Sequence, residues 1–141
     1  LNNHMLLQEV KYANENGTDW GSPDMLDPAN IVLGEFALAY DNTENDSLTC
    51  EAVVNGSEVS GKIAVIYRGI CNFSTKALMC QNAGAIAVII VNHTGDAVGM
   101  AGGTDGASVT IPVVMILEPA GALLHDEIAA GGLTCFIGNK S

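Results

Sequence analysis

The sequence predicts an α/β (α+β) fold built around a central βαβ unit. Three observations carry this. Ile63–Tyr67 and Ala85–Val91 are short runs rich in Val, Ile and Ala, bounded by Gly and Asn, which is how buried strands read. Between them Phe73, Ala77, Cys80 and Gly84 recur at helical spacing, giving one small apolar helix face. Strand, crossover helix and strand in that order make the two strands parallel neighbours.

The elements follow along the chain. Residues 1–30 show no sustained period and carry turn signals at Asn16-Gly17, Gly21-Ser22-Pro23 and Asp27-Pro28. They read as a lead-in that packs on the body through Trp20, the sole tryptophan. Residues 31–138 form the domain proper, and residues 139–141 a short tail. Ile31–Tyr40 alternates in part and predicts a strand, with an irregularity at Gly34. Asp41–Ser47 is a polar loop. The alternation of Asp41, Glu44 and Asp46 admits calcium, but the Gly and closing Glu of a helix–loop–helix calcium site are missing, and a solvated acidic loop is the plainer reading. Cys50–Ser60 is a short connection that turns at Asn55-Gly56. Asn72 or Ser74 suits the N-cap of the central helix, and Gly84 ends it.

Gly95–Thr110 is a long loop containing Gly99, Gly102, Gly103 and Gly106. Its spacing matches neither GxGxxG nor a P-loop, and no Lys follows to meet a phosphate. A mobile surface loop and a ligand-contacting lid both fit it. Ile111–Leu117 predicts a strand, with Pro112 at its start or on an edge. Glu118–Ala130 predicts a helix with Pro119 in its first turn and Gly131-Gly132 as its stop. Leu133–Ile137 closes the chain as a short strand.

Composition bounds the function. A chain of 141 residues supports one domain. An apolar share of 48% supplies a core, and with aromatics at only 5% it is filled by aliphatic side chains. No apolar run approaches the roughly 18 residues of a membrane span. No signal peptide is visible at the start, as expected of a mature or excised piece. A net charge of −11 with five Lys and Arg argues against nucleic acid, whose binding needs clustered cations, and against anionic membrane surfaces. Cys50, Cys71, Cys80 and Cys135 form no Cys-x-x-Cys pair, so zinc fits poorly. Two disulfides in an oxidising compartment fit better; four buried thiols of a cytosolic protein are the alternative. Six Asn-x-Ser/Thr sequons, at Asn16, Asn45, Asn55, Asn72, Asn92 and Asn139, agree with secretion but carry little weight in so Asn-rich a chain.

Catalytic signals are sparse. His4, His93 and His125 are the only histidines, and His93, near Asp96 at the start of the glycine-rich loop, is the one candidate base. Gly-x-Ser-x-Gly and His-Glu-x-x-His are both absent. No catalytic residues, metal ligands or cofactor are called for. Arg68-Gly69 follows a buried strand at its carboxyl end, where crevices form in parallel sheets. An Arg there can fork onto a ligand carboxylate or serve a structural ion pair.

Gly61, Lys62, Ile63–Tyr67, Arg68, Gly69, Cys71, Phe73, Lys76, Ala83, Gly84, Ala85, Ala87–Val91 and Asn92 follow one another in an order that resembles the hallmark of the protease-associated, or PA, domain family. Ile111-Pro112-Val113 and Gly121 also fit, and the resemblance covers about residues 31–137. It implies a small β-sandwich or open barrel with flanking helices, and a domain that is not an enzyme. Such domains accompany secreted peptidases and sorting receptors, where they bind peptide or protein segments or restrict access to a neighbouring active site. The resemblance places cargo binding near Arg68–Phe73, and together with the long glycine-rich loop this predicts ligand contacts at Arg68, Gly69, Asn72, Phe73, Gly99, Gly102 and Gly103. The implied partners are a peptide or protein segment and a neighbouring catalytic domain in the parent chain; nucleic acid and membrane are not among them. The implied location is secreted, or another oxidising lumen or periplasm. The resemblance pairs Cys50 with Cys71. That leaves Cys80 to pair with Cys135, tying the central helix to the last strand. A stand-alone secreted hydrolase using His93 and a purely structural spacer are the competing functions.

Overall fold

A computed structural model describes residues 11–13, 20–21, 27–131 and 134–138. Most of the lead-in, His4, the sequons at Asn16 and Asn139, Gly132, Leu133 and the tail at 139–141 lie outside the described residues.

Among the described residues six strands form one mixed sheet: β1 (Lys11–Tyr12), β2 (Val32–Leu38), β3 (Ile63–Tyr67), β4 (Ala87–Val91), β5 (Val113–Ile116) and β6 (Thr134–Ile137). Their spatial order is β1-β5-β4-β3-β2-β6. β2, β3, β4 and β5 run parallel, and the outer strands β1 and β6 are antiparallel to their neighbours. The predicted βαβ unit is present: β3 and β4 pair over five positions, from Ile63↔Ala87 to Tyr67↔Val91, joined by α2 (Phe73–Asn82). The two strands are buried almost throughout, as their unbroken apolar runs require. Asn72 occupies the N-cap position of α2, but its side chain makes no capping bond.

The remaining helices are α1 (Gly56–Val59) and α3 (Glu118–Ala129). α1 is a single turn where the sequence indicates only a turn. Among the described residues no helix is long and apolar enough to cross a membrane. The mixed sheet with flanking helices is the open-barrel α+β architecture expected.

β2 runs unbroken through Gly34, without the irregularity expected there. Instead it changes partner: Val32–Glu35 pair with β6, and Phe36–Leu38 with β3. A Cβ on Gly34 would stand 2.9 Å from Ile86 Cδ1. The glycine therefore marks a close side-chain approach rather than a bulge.

The sheet separates two apolar layers. One gathers Val59 of α1, Ala77 and Cys80 of α2, Ala64, Ile66, Val88 and Ile90 of the sheet, and Trp20 and Met100. The other gathers Ile63, Val65, Ile89 and Val91 with Leu124 of α3 and Cys135 of β6. This division overturns the expected Cys80–Cys135 bond. Both are free, buried thiols, and they lie in layers on opposite faces of the sheet. Burial pushes each thiol up to about 12. Cys50 and Cys71 are joined as expected, with a Cα–Cα distance of 5.8 Å.

Candidate functional site

The carboxyl ends of the parallel strands carry the polar groups that the cores exclude. Arg68 directly follows β3 and continues its pairing, its backbone N–H donating to Val91 O at 2.9 Å. Its guanidinium lies 5.7 Å from the centroid of the Phe73 ring, within cation–π range, and Nη1 donates to Asn92 Oδ1 at 2.9 Å. No carboxylate pairs with Arg68 among the described residues. The structural ion pair is thus absent there, and most of the five guanidinium N–H donors are left without a protein acceptor.

Asn92 is the hub of this corner and is only 1% exposed. Its Oδ1 also accepts from His93 N at 2.9 Å, and Nδ2 donates to Thr94 O at 2.8 Å and Asp96 O at 2.9 Å. One buried amide so positions Arg68 and folds the start of the following loop. The His93 side chain is exposed, and no hydrogen bond joins its imidazole to an acid or hydroxyl among the described residues.

Between Arg68 and α2 the chain makes a strained turn. Ile70 has φ +64, and Cys71 N–H donates across it to Gly69 O at 2.8 Å, the i→i+2 bond and dihedral sign of a positive-φ γ-turn. A β-branched residue is a rare occupant of that region. Ile70 is nonetheless 82% exposed, so core packing does not hold it there. The disulfide beside it and Leu48, which packs on Gly69, fix the turn from behind.

Lys76 supplies the buttress. It is fully buried, and Nζ donates to Leu48 O at 2.7 Å. Burial lowers its pKa to about 8, with the charge of Asp41 acting in the opposite sense. Thr49, in left-handed backbone with φ 47, donates from Oγ1 to Lys76 O at 3.5 Å. Asp41 turns inward as well: Oδ1 accepts from Thr43 N and Oγ1, and Oδ2 from Glu51 N. Its carboxylate organises the acidic loop, and no group of three or more His, Cys, Asp or Glu converges among the described residues.

The glycine-rich loop is not a free lid. Trp20 Nε1 donates to Met100 O at 2.7 Å, Thr75 Oγ1 to Asp105 Oδ2 at 2.7 Å, and Gln81 bonds both Ser108 O and Thr110 N. Gly102 packs on Trp20, and Gly99 is exposed, with open space where a Cβ would stand. Gly103 alone approaches the corner: a Cβ there would stand 2.8 Å from Asn72 Nδ2. Of the predicted ligand residues, Arg68 and Phe73 meet, with Gly69 and Asn72 between them in the chain, Gly103 borders Asn72, and Gly102 borders Trp20 instead. Sequence reasoning missed Ile70 and Asn92 as site residues; the Asn that closes the second apolar run was the available signal for the latter.

A family model, that of the PA domain, matches residues 29–124, more than half the chain. The chain belongs to the PA domain family. Among curated relatives, the PA domain here is 37% identical over 87 residues to ER degradation-enhancing alpha-mannosidase-like protein 3 of Homo sapiens, covering 56% of this chain and 9% of that protein. It is 31% identical over 134 residues to Leucine aminopeptidase 2 of Arthroderma otae, covering 93% of this chain and 26% of that protein. Among solved structures, the aminopeptidase of Aneurinibacillus sp. strain AM-1 superposes with a TM-score of 0.59 at 23% identity, covering 96% of this chain and 34% of that one. The PA domain thus spans about a tenth to a third of these relatives' lengths. In the aminopeptidases it is one part of a larger peptidase chain.

Proposed function

We propose that this PA domain is a non-catalytic module of a secreted peptidase. It binds a peptide or protein segment at the Arg68–Phe73 corner and so selects or gates substrate for a neighbouring catalytic domain. One observation carries the reading: Ile70 is held exposed in a strained conformation beside an Arg68 that no acid among the described residues neutralises. Strain that packing does not explain collects at functional positions, and an exposed aliphatic residue next to an unpaired guanidinium suits a ligand with an apolar group close to a carboxylate. The first turn of α2 adds to this. Its N-terminal amides receive no side-chain cap from Asn72, and Ser74 Oγ is buried without a hydrogen-bond partner. Helix N-termini favour anions. The likeness to aminopeptidases supports the peptidase setting, and the Cys50–Cys71 disulfide agrees with secretion into an oxidising medium.

An array of random peptides with free terminal carboxylates, set against the same peptides amidated, tests the reading. Selective capture of carboxylate peptides by the wild type, weakened at least about tenfold by Arg68→Ala, is the expected result. Capture that ignores both the carboxylate and the substitution overturns it.

A further inference from the structure

A second recess lies at the carboxyl ends of β2 and β3, next to α3. It is open to solvent, holds about 310 Å³, and is lined by Leu38 and Val65 with Tyr40, Tyr67, Asp46, Ser47 and His125. Two tyrosines, an aspartate and a serine line it, and no hydrogen bond engages the side chain of any of the four among the described residues. Among the described residues no Lys or Arg lines the recess.

We propose that this recess binds an organic cation, a primary ammonium or guanidinium carried on a short aliphatic stem. Leu38 and Val65 take the methylenes. Tyr40 and Tyr67 bring aromatic rings to the charge, and Asp46 and Ser47 offer oxygens to its N–H donors. The volume is at the lower end of small-ligand sites, about 300–1,000 Å³, so it suits one side chain or a small amine.

The local field has the matching sign. Beyond the effect of burial, the charges of Asp46 and Glu58 raise the Tyr40 phenol above its ordinary value, and Asp126 contributes in the same sense to Tyr67, after burial and Tyr40. A negative potential that keeps phenols protonated also favours a bound cation. The chain's charge of −11 extends that potential outward. This site does not depend on the Arg68 corner.

NMR titration of the isotope-labelled chain with n-butylammonium tests it, with butyrate as the isosteric anion and Nα-acetyl-lysine amide to separate a free amine from a lysine side chain. The expected result is saturable shifts confined to Tyr40, Ser47, Tyr67 and His125, no response there to butyrate, and affinity at least about fivefold weaker in Asp46→Asn. Asp46 is exposed in its turn, so this variant leaves the fold standing, and Tyr67→Leu provides a second probe of the aromatic wall. Saturable binding of either amine supports the site; a matching affinity for the lysine amide assigns it to side chains. Shifts spread over the acidic surface, equal response to butyrate, or an affinity that Asp46→Asn leaves unchanged would overturn the proposal.

Discussion

Arg68 Nη1 and Asn92 Oδ1 meet at 2.9 Å, joining the residues that immediately follow β3 and β4. The two are unequal partners. Asn92 is buried and uses its oxygen twice and its nitrogen twice, whereas Arg68 is only half-buried and reaches outward. Asn92→Ala should therefore destabilise the domain by about 2–4 kcal/mol, because it strands the carbonyls of Thr94 and Asp96 and the amide of His93. Arg68→Ala should cost only about 1 kcal/mol, the scale of one hydrogen bond and one exposed cation–π contact. Urea denaturation of the two variants checks the ranking; equal losses contradict it.

Cysteine chemistry should divide two and two. Denatured, unreduced protein should present two reactive thiols, those of Cys80 and Cys135, and the folded protein should label slowly, because both are buried and their thiolates disfavoured. Replacing Cys50 and Cys71 together by Ala should cost about 2–4 kcal/mol. No free thiols on denaturation would mean that Cys80 and Cys135 are bonded after all and that the two-layer assignment is wrong.

Lys76 should leave a signature in the pH dependence of stability. Its folded pKa of about 8 lies below the ordinary lysine value of about 10.4. Between these limits the unfolded chain holds a proton that the folded one has released, so the Lys76 contribution to stability rises with pH. Cys80 and Cys135 act oppositely, because their raised pKa values make stability fall once pH passes the unfolded thiol value of about 8.5. Comparing Tm against pH for wild type and Lys76→Met isolates the lysine. The wild type should gain on the variant from about pH 8 to pH 10, and parallel curves would contradict the assignment.

Much of this fold is readable from residue order. The Val and Ile runs of β3 and β4 are continuous, so their burial and parallel pairing follow from pattern alone. The single turn of α1 is not readable, because a four-residue helix with one buried residue, Val59, has no period to detect. Cys50–Cys71 formed as expected, but the Cys80–Cys135 pairing failed for a related reason. Periodicity marks Cys80 and Cys135 as buried but does not say on which face of the sheet each falls. At the corner, Arg68, Gly69, Cys71 and Phe73 were legible as a motif, while Ile70 was not, since isoleucine gives no signal for left-handed backbone. The second recess was out of reach because Tyr40, Tyr67 and His125 are far apart in sequence and meet only through the sheet order.

The most direct test of the peptide-binding corner is one variant measured twice. Ile70→Gly removes a side chain that is 82% exposed from a backbone with φ +64. It should raise stability by about 0.5–1 kcal/mol, the left-handed strain relieved less the added flexibility of the unfolded chain. If the strain serves recognition, the same variant should bind a carboxylate peptide selected on the wild type at least about tenfold more weakly. A more stable protein with lost affinity is the predicted result; unchanged affinity, whatever the stability, would contradict the assignment of this corner as the binding surface.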